Sequence, residues 1–164
     1  MKSKVTYVNY NQQLGLSKSI KRILIMGLPG SGKTTLAQKL KKQLQQAGRT
    51  VEWLNADEVR TTYNDWDFSE SGRIRQSQRM RELADKFVTD YVIADFVAPL
   101  AEMRENFDAD CTIWVDTITQ GRFADTNTMF QAPGQYDFRV TEQDCEKWAN
   151  IIKKYLITMH QVNG

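Results

Sequence analysis

Gly27, Leu28, Pro29, Gly30, Ser31, Gly32, Lys33 and Thr34 fit the pattern G-x-x-x-x-G-K-[ST], whose chemistry is the binding of a polyphosphate. Its glycines let the backbone curl so that successive N–H groups point at phosphate oxygens. A helix starting there adds the partial positive charge of its N-terminus. Lys33 would reach the β- and γ-phosphates, the Thr34 hydroxyl is the candidate Mg²⁺ ligand, and Thr35 closes the segment. Such a loop must lie between a strand and a helix. Residues 22–26, Arg-Ile-Leu-Ile-Met, are an apolar run suited to a buried strand. In 35–47, Leu36, Ala37, Leu40 and Leu44 recur at helical spacing, with Gly48 as a stop. A nucleoside triphosphate site is expected.

The rest of the chain supplies the elements that would position this loop. Residues 50–54, 91–97, 111–115 and 137–140 read as further strands. Residues 70–88 carry Ile74, Met80, Leu83, Ala84, Phe87 and Val88 mostly on one helical face. Pro99 is expected to open a short helix. Thr141 is expected to cap a last helix with an acidic first turn, running to about His160. Residues 116–136 have little apolar periodicity and contain Gly121, Pro133 and Gly134, so they read mainly as a long functional loop. Alternating strands and helices predict an α/β fold, a P-loop NTPase-type parallel sheet with helices on both faces. Ligands bind such sheets at the C-terminal strand ends. There the sequence places Asp57, Asp95 and Asp116, which are expected to gather near the P-loop as carboxylates for Mg²⁺ and for an acceptor hydroxyl. Each is also the residue type of a helix cap or a solvated turn.

Residues 60–81 hold five arginines, Arg60, Arg73, Arg75, Arg79 and Arg81, and guanidinium groups bind phosphate or sulfate oxygens in pairs. Arg73 and Gln76 share a helix face. Arg75, Arg79 and Arg81 read as a solvated face. Phe68 is placed either to stack on a base or to fill the core.

The chain has 164 residues, 41% hydrophobic and 26% charged, and a net charge of +2. It reads as a single P-loop kinase domain over 1–164, with an N-terminal extension over 1–20 and a long loop or short lid over 116–136. The charge is too small to argue for nucleic acid or a membrane. The stretch Tyr7 to Gln13 is polar, unlike a signal peptide's apolar core. Cys111 and Cys145 lack metal-ligand spacing and read as reduced thiols of a cytoplasmic protein. The single histidine, His160, is expected to face solvent.

Taken in order, the residues resemble the adenylylsulfate (APS) kinases. Gly27 to Thr35 matches the P-loop form of that family. Asn55 to Arg60 resembles its Asp-Gly-Asp-Asn-Val-Arg segment, keeping Asp57, Val59 and Arg60. Asn64 to Ser69 echoes Asn-x-Asp-x-Gly-Phe-Ser, Arg73 and Arg79 match the next helix, and Phe96-Val97-Ala98-Pro99 corresponds to Phe-Ile-Ser-Pro. The resemblance implies transfer of phosphate from ATP, with Mg²⁺, to the 3′-hydroxyl of adenosine 5′-phosphosulfate in sulfate assimilation. Lys33 and Asp57 would be catalytic, and Arg60 and Arg73 would hold the phosphosulfate. Phe68 and Phe123 would sandwich the adenine, with Gln76 and Val97 beside the nucleotide. The implied partner is this APS-like nucleotide, with no nucleic acid or membrane, and a homodimer is expected.

Three departures stand against the family pattern. Ala98 replaces the serine, which excludes a phosphoserine there. Gln76 stands for asparagine. The arginine-containing helix and Lys-Gly-Leu-Tyr lid that follow the fourth strand are missing, and the chain passes almost directly to Gly121-Arg122-Phe123. A kinase of another acceptor (a nucleoside, nucleotide or sugar) or a nucleotide-binding module without transfer are the alternatives. Arg122 is one candidate replacement for the lid.

Overall fold

A computed structural model describes residues 19–163. Most of the expected N-terminal extension, including Tyr7 to Gln13, lies outside the described residues. Five parallel strands form one sheet: β1 Arg22–Met26, β2 Val51–Asn55, β3 Tyr91–Asp95, β4 Cys111–Val115 and β5 Phe138–Val140, in the order β2-β3-β1-β4-β5. The helices are α1 Lys33–Gln46, α2 Ala56–Tyr63, α3 Glu70–Lys86, α4 Ala101–Phe107, α5 Ala124–Met129 and α6 Cys145–Asn163. Among the described residues no helix is long and apolar enough to cross a membrane.

The period-two alternation of the strands sorts the core into two layers. Ile23, Ile25, Tyr91, Ile93, Cys111 and Ile113 pack under α1 and α6, with Leu36, Leu40, Leu44, Trp148 and Ile152. Leu24, Met26, Leu54, Val92 and Ala94 pack on the other face against α2, α3 and α4, through Val59, Met80, Ala84, Met103 and Phe107. Both faces of the central strands are covered, which is why their sequences are apolar runs. The α/β sheet with helices on both faces is as expected.

Several element ends differ from the expectation for local reasons. The last helix starts at Cys145 rather than after Thr141, because the Asp144 carboxylate accepts the Lys147 N–H (3.2 Å) and acts as the cap. Pro99 precedes α4 without opening it; Leu100 is the cap residue. Within 116–136 the chain forms α5, which the sequence hid: Ala-Asp-Thr-Asn-Thr-Met has no apolar period, and its one buried residue is a threonine, Thr126. Cys111 and Cys145 are free thiols in β4 and at the start of α6. His160 is half-buried, its ring 6.4 Å from that of Tyr91, so it does not simply face solvent.

Candidate active site

A cavity of about 660 Å³ opens at the C-terminal ends of the strands. Its floor is the P-loop. Gly27, Gly30 and Gly32 have φ of 152°, 85° and 106°, a region that strains any side chain. At Gly27 a Cβ would also overlap the Val115 carbonyl oxygen. The Thr117 hydroxyl donates to the Ser31 carbonyl at 2.6 Å and ties the loop to the end of β4. Pro29, Gly30, Lys33 and Thr34 line the cavity, while Leu28 and Ser31 are buried behind it. The Lys33 ammonium curls back to donate to the Leu28 carbonyl (3.0 Å). Burial pushes it down to about 8, with Asp95 and Asp57 pulling the other way.

Asp95 reaches this point by register. It pairs with Asn55 on β2 and Ile25 on β1, and alternation turns it to the α1 face, beside Lys33. It is buried, and its Oδ2 accepts both the Trp53 indole N–H (2.8 Å) and the Asn55 amide (3.1 Å). Burial raises its pKa, against the opposing pull of those donors and of Lys33. The same Asn55 caps α2, its Oδ1 accepting the Asp57 and Glu58 N–H groups at 3.1 and 3.2 Å. One side chain thus fixes both Asp95 and the helix turn that carries Asp57. Asp57 and Asp95 line the cavity. Asp116 does not: Arg139 on the neighbouring strand holds it at 2.7 and 3.0 Å. The expectation that all three carboxylates gather is corrected at Asp116, because β5 brings it a closer cation.

The arginines divide into two groups. Arg60 and Arg73 are 4% and 7% exposed and pair with no carboxylate among the described residues. Arg60 donates to the Asp65 and Asp67 carbonyls (3.0 and 3.2 Å), and Arg73 to the Phe68 carbonyl (3.0 Å) and the Thr126 hydroxyl (2.9 Å). Burial lowers the pKa of both, and for Arg60 the charge of Arg73 lowers it further. Asp65 and Asp57 act on Arg60 from a distance, but neither guanidinium is ion-paired directly among the described residues, and two such adjacent buried cations suit an anion. Arg73 lines the cavity; Arg60 lies under the Phe68 ring, 4.4 Å from its centroid. Arg75 and Arg79 do not form a free solvated face. Both bind Asp65, Arg75 through two bonds (2.8 and 3.0 Å) and Arg79 at 3.2 Å. Arg81 pairs with Asp85 at 2.9 Å.

Gln76 does not reach the cavity. It is buried, donates to the Ala56 carbonyl (3.1 Å) and accepts from Arg79 (3.2 Å), so it props α2 against α3. Val97, Phe68 and Phe123 do line the cavity, as do Trp66, Arg122, Asp125, Thr126 and Met129. The last three escaped sequence reasoning because they belong to α5. That helix is held at its start by the Asn127 side chain, which bonds the Gly121 N–H and carbonyl (2.8 and 2.9 Å). Beyond its end, Arg104 bridges the Ala98, Pro99 and Gln131 carbonyls.

The family model for adenylylsulphate kinase matches residues 19–119. The chain belongs to the adenylylsulphate kinase family. It is 38% identical over 85 residues to the probable adenylyl-sulfate kinase of Aeropyrum pernix, a match covering 50% of this chain and 46% of the relative. With the adenylyl-sulfate kinase of Bacillus pumilus it shares 35% identity over 105 residues, 62% of this chain and 52% of the relative. The chain thus spans about half the length of the curated relatives it matches. Its fold is similar to that of a Mycobacterium tuberculosis APS kinase solved with AMPPNP and APS: TM-score 0.75, 20% identity, 85% of this chain and 98% of the other. A shikimate kinase from Acinetobacter baumannii, solved with shikimate, shares the fold more distantly, with TM-score 0.59 and 17% identity over 85% and 94% of the two chains.

Proposed function

We propose that this protein is an ATP-dependent kinase that phosphorylates the 3′-hydroxyl of adenosine 5′-phosphosulfate. The observation that carries the reading is one cavity that joins the P-loop residues Lys33 and Thr34 to Asp57, Asp95, the buried cation Arg73 and aromatic side chains at its rim. A sugar or a free nucleoside would leave Arg73 without an anion. The family membership and the APS-bound structural neighbour support the same acceptor.

In this reading the P-loop N–H groups and Lys33 hold the ATP phosphates. Arg73, with Arg60 behind it, anchors the phosphosulfate, and the rim aromatics hold the adenine. The acceptor oxygen attacks the γ-phosphorus, the bond to the ADP oxygen breaks, and Asp57 takes the hydroxyl proton. Lys33 stabilises charge on the transferring oxygens. The hard-oxygen set of Thr34, Asp57 and Asp95 fits Mg²⁺ and would hold it. Such an ion would neutralise phosphate charge.

The test is steady-state ADP release with APS as acceptor. Asp57→Asn should lower turnover by ~10²–10⁴, the usual worth of a positioned base, with ATP binding intact by calorimetry. Absence of APS-dependent ADP release in the parent protein rejects the acceptor. Normal turnover in Asp57→Asn rejects the role of Asp57.

A further inference from the structure

The loop between α2 and α3 reads Asp65-Trp66-Asp67-Phe68, acid and aromatic in strict alternation. The acids turn toward α3 and the aromatics toward the cavity. Asp65 is held by Arg75 and Arg79, Asp67 by Arg75 (3.3 Å), and the carbonyls of both by Arg60. Asp67 Oδ1 also accepts the Ser69 N–H (3.0 Å), and the approach of Asp67 to α3 is so close that only a glycine fits at position 72. Trp66 and Phe68 line the cavity, each 49% exposed, with their rings 6.3 Å apart.

The two rings differ in what they already touch. Phe68 lies within 4.4 Å of the Arg60 guanidinium and 5.3 Å of that of Arg73. Trp66 has no cation beside it, and its indole N–H has no partner among the described residues. Two large rings side by side, half in water at the mouth of a cavity on a loop held by arginines, form an apolar patch of the kind that marks a ligand site. The flat face suits a nucleobase, and stacking on an aromatic side chain is tolerant of which base it is.

We infer that Trp66 is a base-stacking, specificity-determining residue of the acceptor pocket, adding a third aromatic wall to Phe68 and Phe123. It rests on the nucleotide-acceptor reading above and adds to it the residue that selects a base over a base-free acceptor. Phe68, a wall of the same pocket, also covers the two arginines.

The experiment uses the full chain saturated with ADP and Mg²⁺, so that only the acceptor site is titrated, with calorimetry and tryptophan fluorescence as readouts. Trp53, Trp114 and Trp148 are half-buried or buried, so Trp66 should dominate a ligand-induced change. Addition of APS should quench the emission of the parent protein, and Trp66→Phe should bind APS within about threefold while losing most of the quench. Trp66→Ala should weaken APS by roughly 5- to 100-fold, the usual worth of one stacked base, and raise the APS KM with the ATP KM unchanged. Equal APS affinity in Trp66→Ala, or a quench that survives in Trp66→Phe, overturns the inference and leaves the acceptor standing. If the parent binds AMP but not APS, and Trp66→Ala weakens AMP, the inference stands and the acceptor falls. If the parent binds neither nucleotide but binds shikimate or a hexose, both are overturned.

Discussion

In the proposed reading, the phosphate end of the cavity comes from one continuous stretch, residues 27–34, whose working groups are backbone N–H groups and one lysine. The acceptor end is collected from the end of β2, the loop before α3, Arg73 on α3, the end of β3 and the segment around α5, and its working groups are all side chains. A backbone-built site needs glycines at fixed intervals, because φ of 85° and 106° admits little else. A side-chain-built site needs only that the elements bring the right groups together, and many sequences satisfy that. Each half is vulnerable in its own way: the first to a change in backbone conformation, the second to a change in how its elements are propped.

The largest expected effect separates chemistry from stability within the first half. Lys33→Met should cut phosphoryl transfer by ~10²-fold or more and yet stabilise the fold. Burial lowers the ammonium from the ordinary value of 10.5 to about 8. Between those values the unfolded chain keeps a proton that the folded chain has lost, so stability rises with pH across that window and is flat below it. The variant should lose that rise and melt higher at pH 7, by on the order of 1–3 kcal/mol. Thermal melts at pH 7 and pH 10 check this; a Lys33→Met protein that is less stable at pH 7 refutes it.

A matched pair of glycine substitutions sets the halves against each other. Gly27→Ala drives a methyl into the Val115 carbonyl, and Gly72→Ala drives one into the Asp67 backbone and side chain. Each should cost ~1–3 kcal/mol of stability. Gly27→Ala should weaken ATP with little change in acceptor KM, and Gly72→Ala should raise acceptor KM with ATP untouched. If both constants move together in either variant, the halves are not separable.

A smaller effect is expected at Thr126. Thr126→Val removes the hydroxyl that accepts from Arg73 and nothing that touches ATP. Acceptor KM should change by about two- to tenfold, the worth of one hydrogen bond to a charged group, with the ATP KM constant.

The P-loop segment, the parallel strands and the place of Asp57 after the second strand are legible because each is written in adjacent residues or in a short period; the helix Ala56–Tyr63 and the strand order are not. Asp116 was misplaced because its partner, Arg139, lies 23 residues away, and only strand pairing brings them together. Gln76 carries a side chain able to contact a nucleotide, but α2 packs over it, and no local pattern records that. The helix over Ala124–Met129 was invisible for the same reason: it is held by Asn127, Arg73 and Arg104 rather than by its own apolar face.

The smallest expected effect on the site is a control away from both halves. Burial raises the Asp137 carboxyl to about 6, so the folded chain gains a proton there that the unfolded chain lacks. Stability from this group is present below about 3.8 and is lost as pH rises through 6. Asp137→Asn should therefore raise stability at pH 7 by on the order of 1–3 kcal/mol, leave it unchanged near pH 3.5, and alter neither KM. Melting curves at the two pH values decide it.

The alternation over residues 65–68 also bears on how this sequence can change by descent. Substitutions there alter one wall at a time. Deleting or inserting a single residue should turn carboxylates toward the cavity that Arg73 lines and rings toward the guanidinium groups of α3. The family pattern Asn-x-Asp-x-Gly-Phe-Ser is one residue longer than Asn64 to Ser69 here, so a change of length in this loop should go together with a change in which side chains face the cavity.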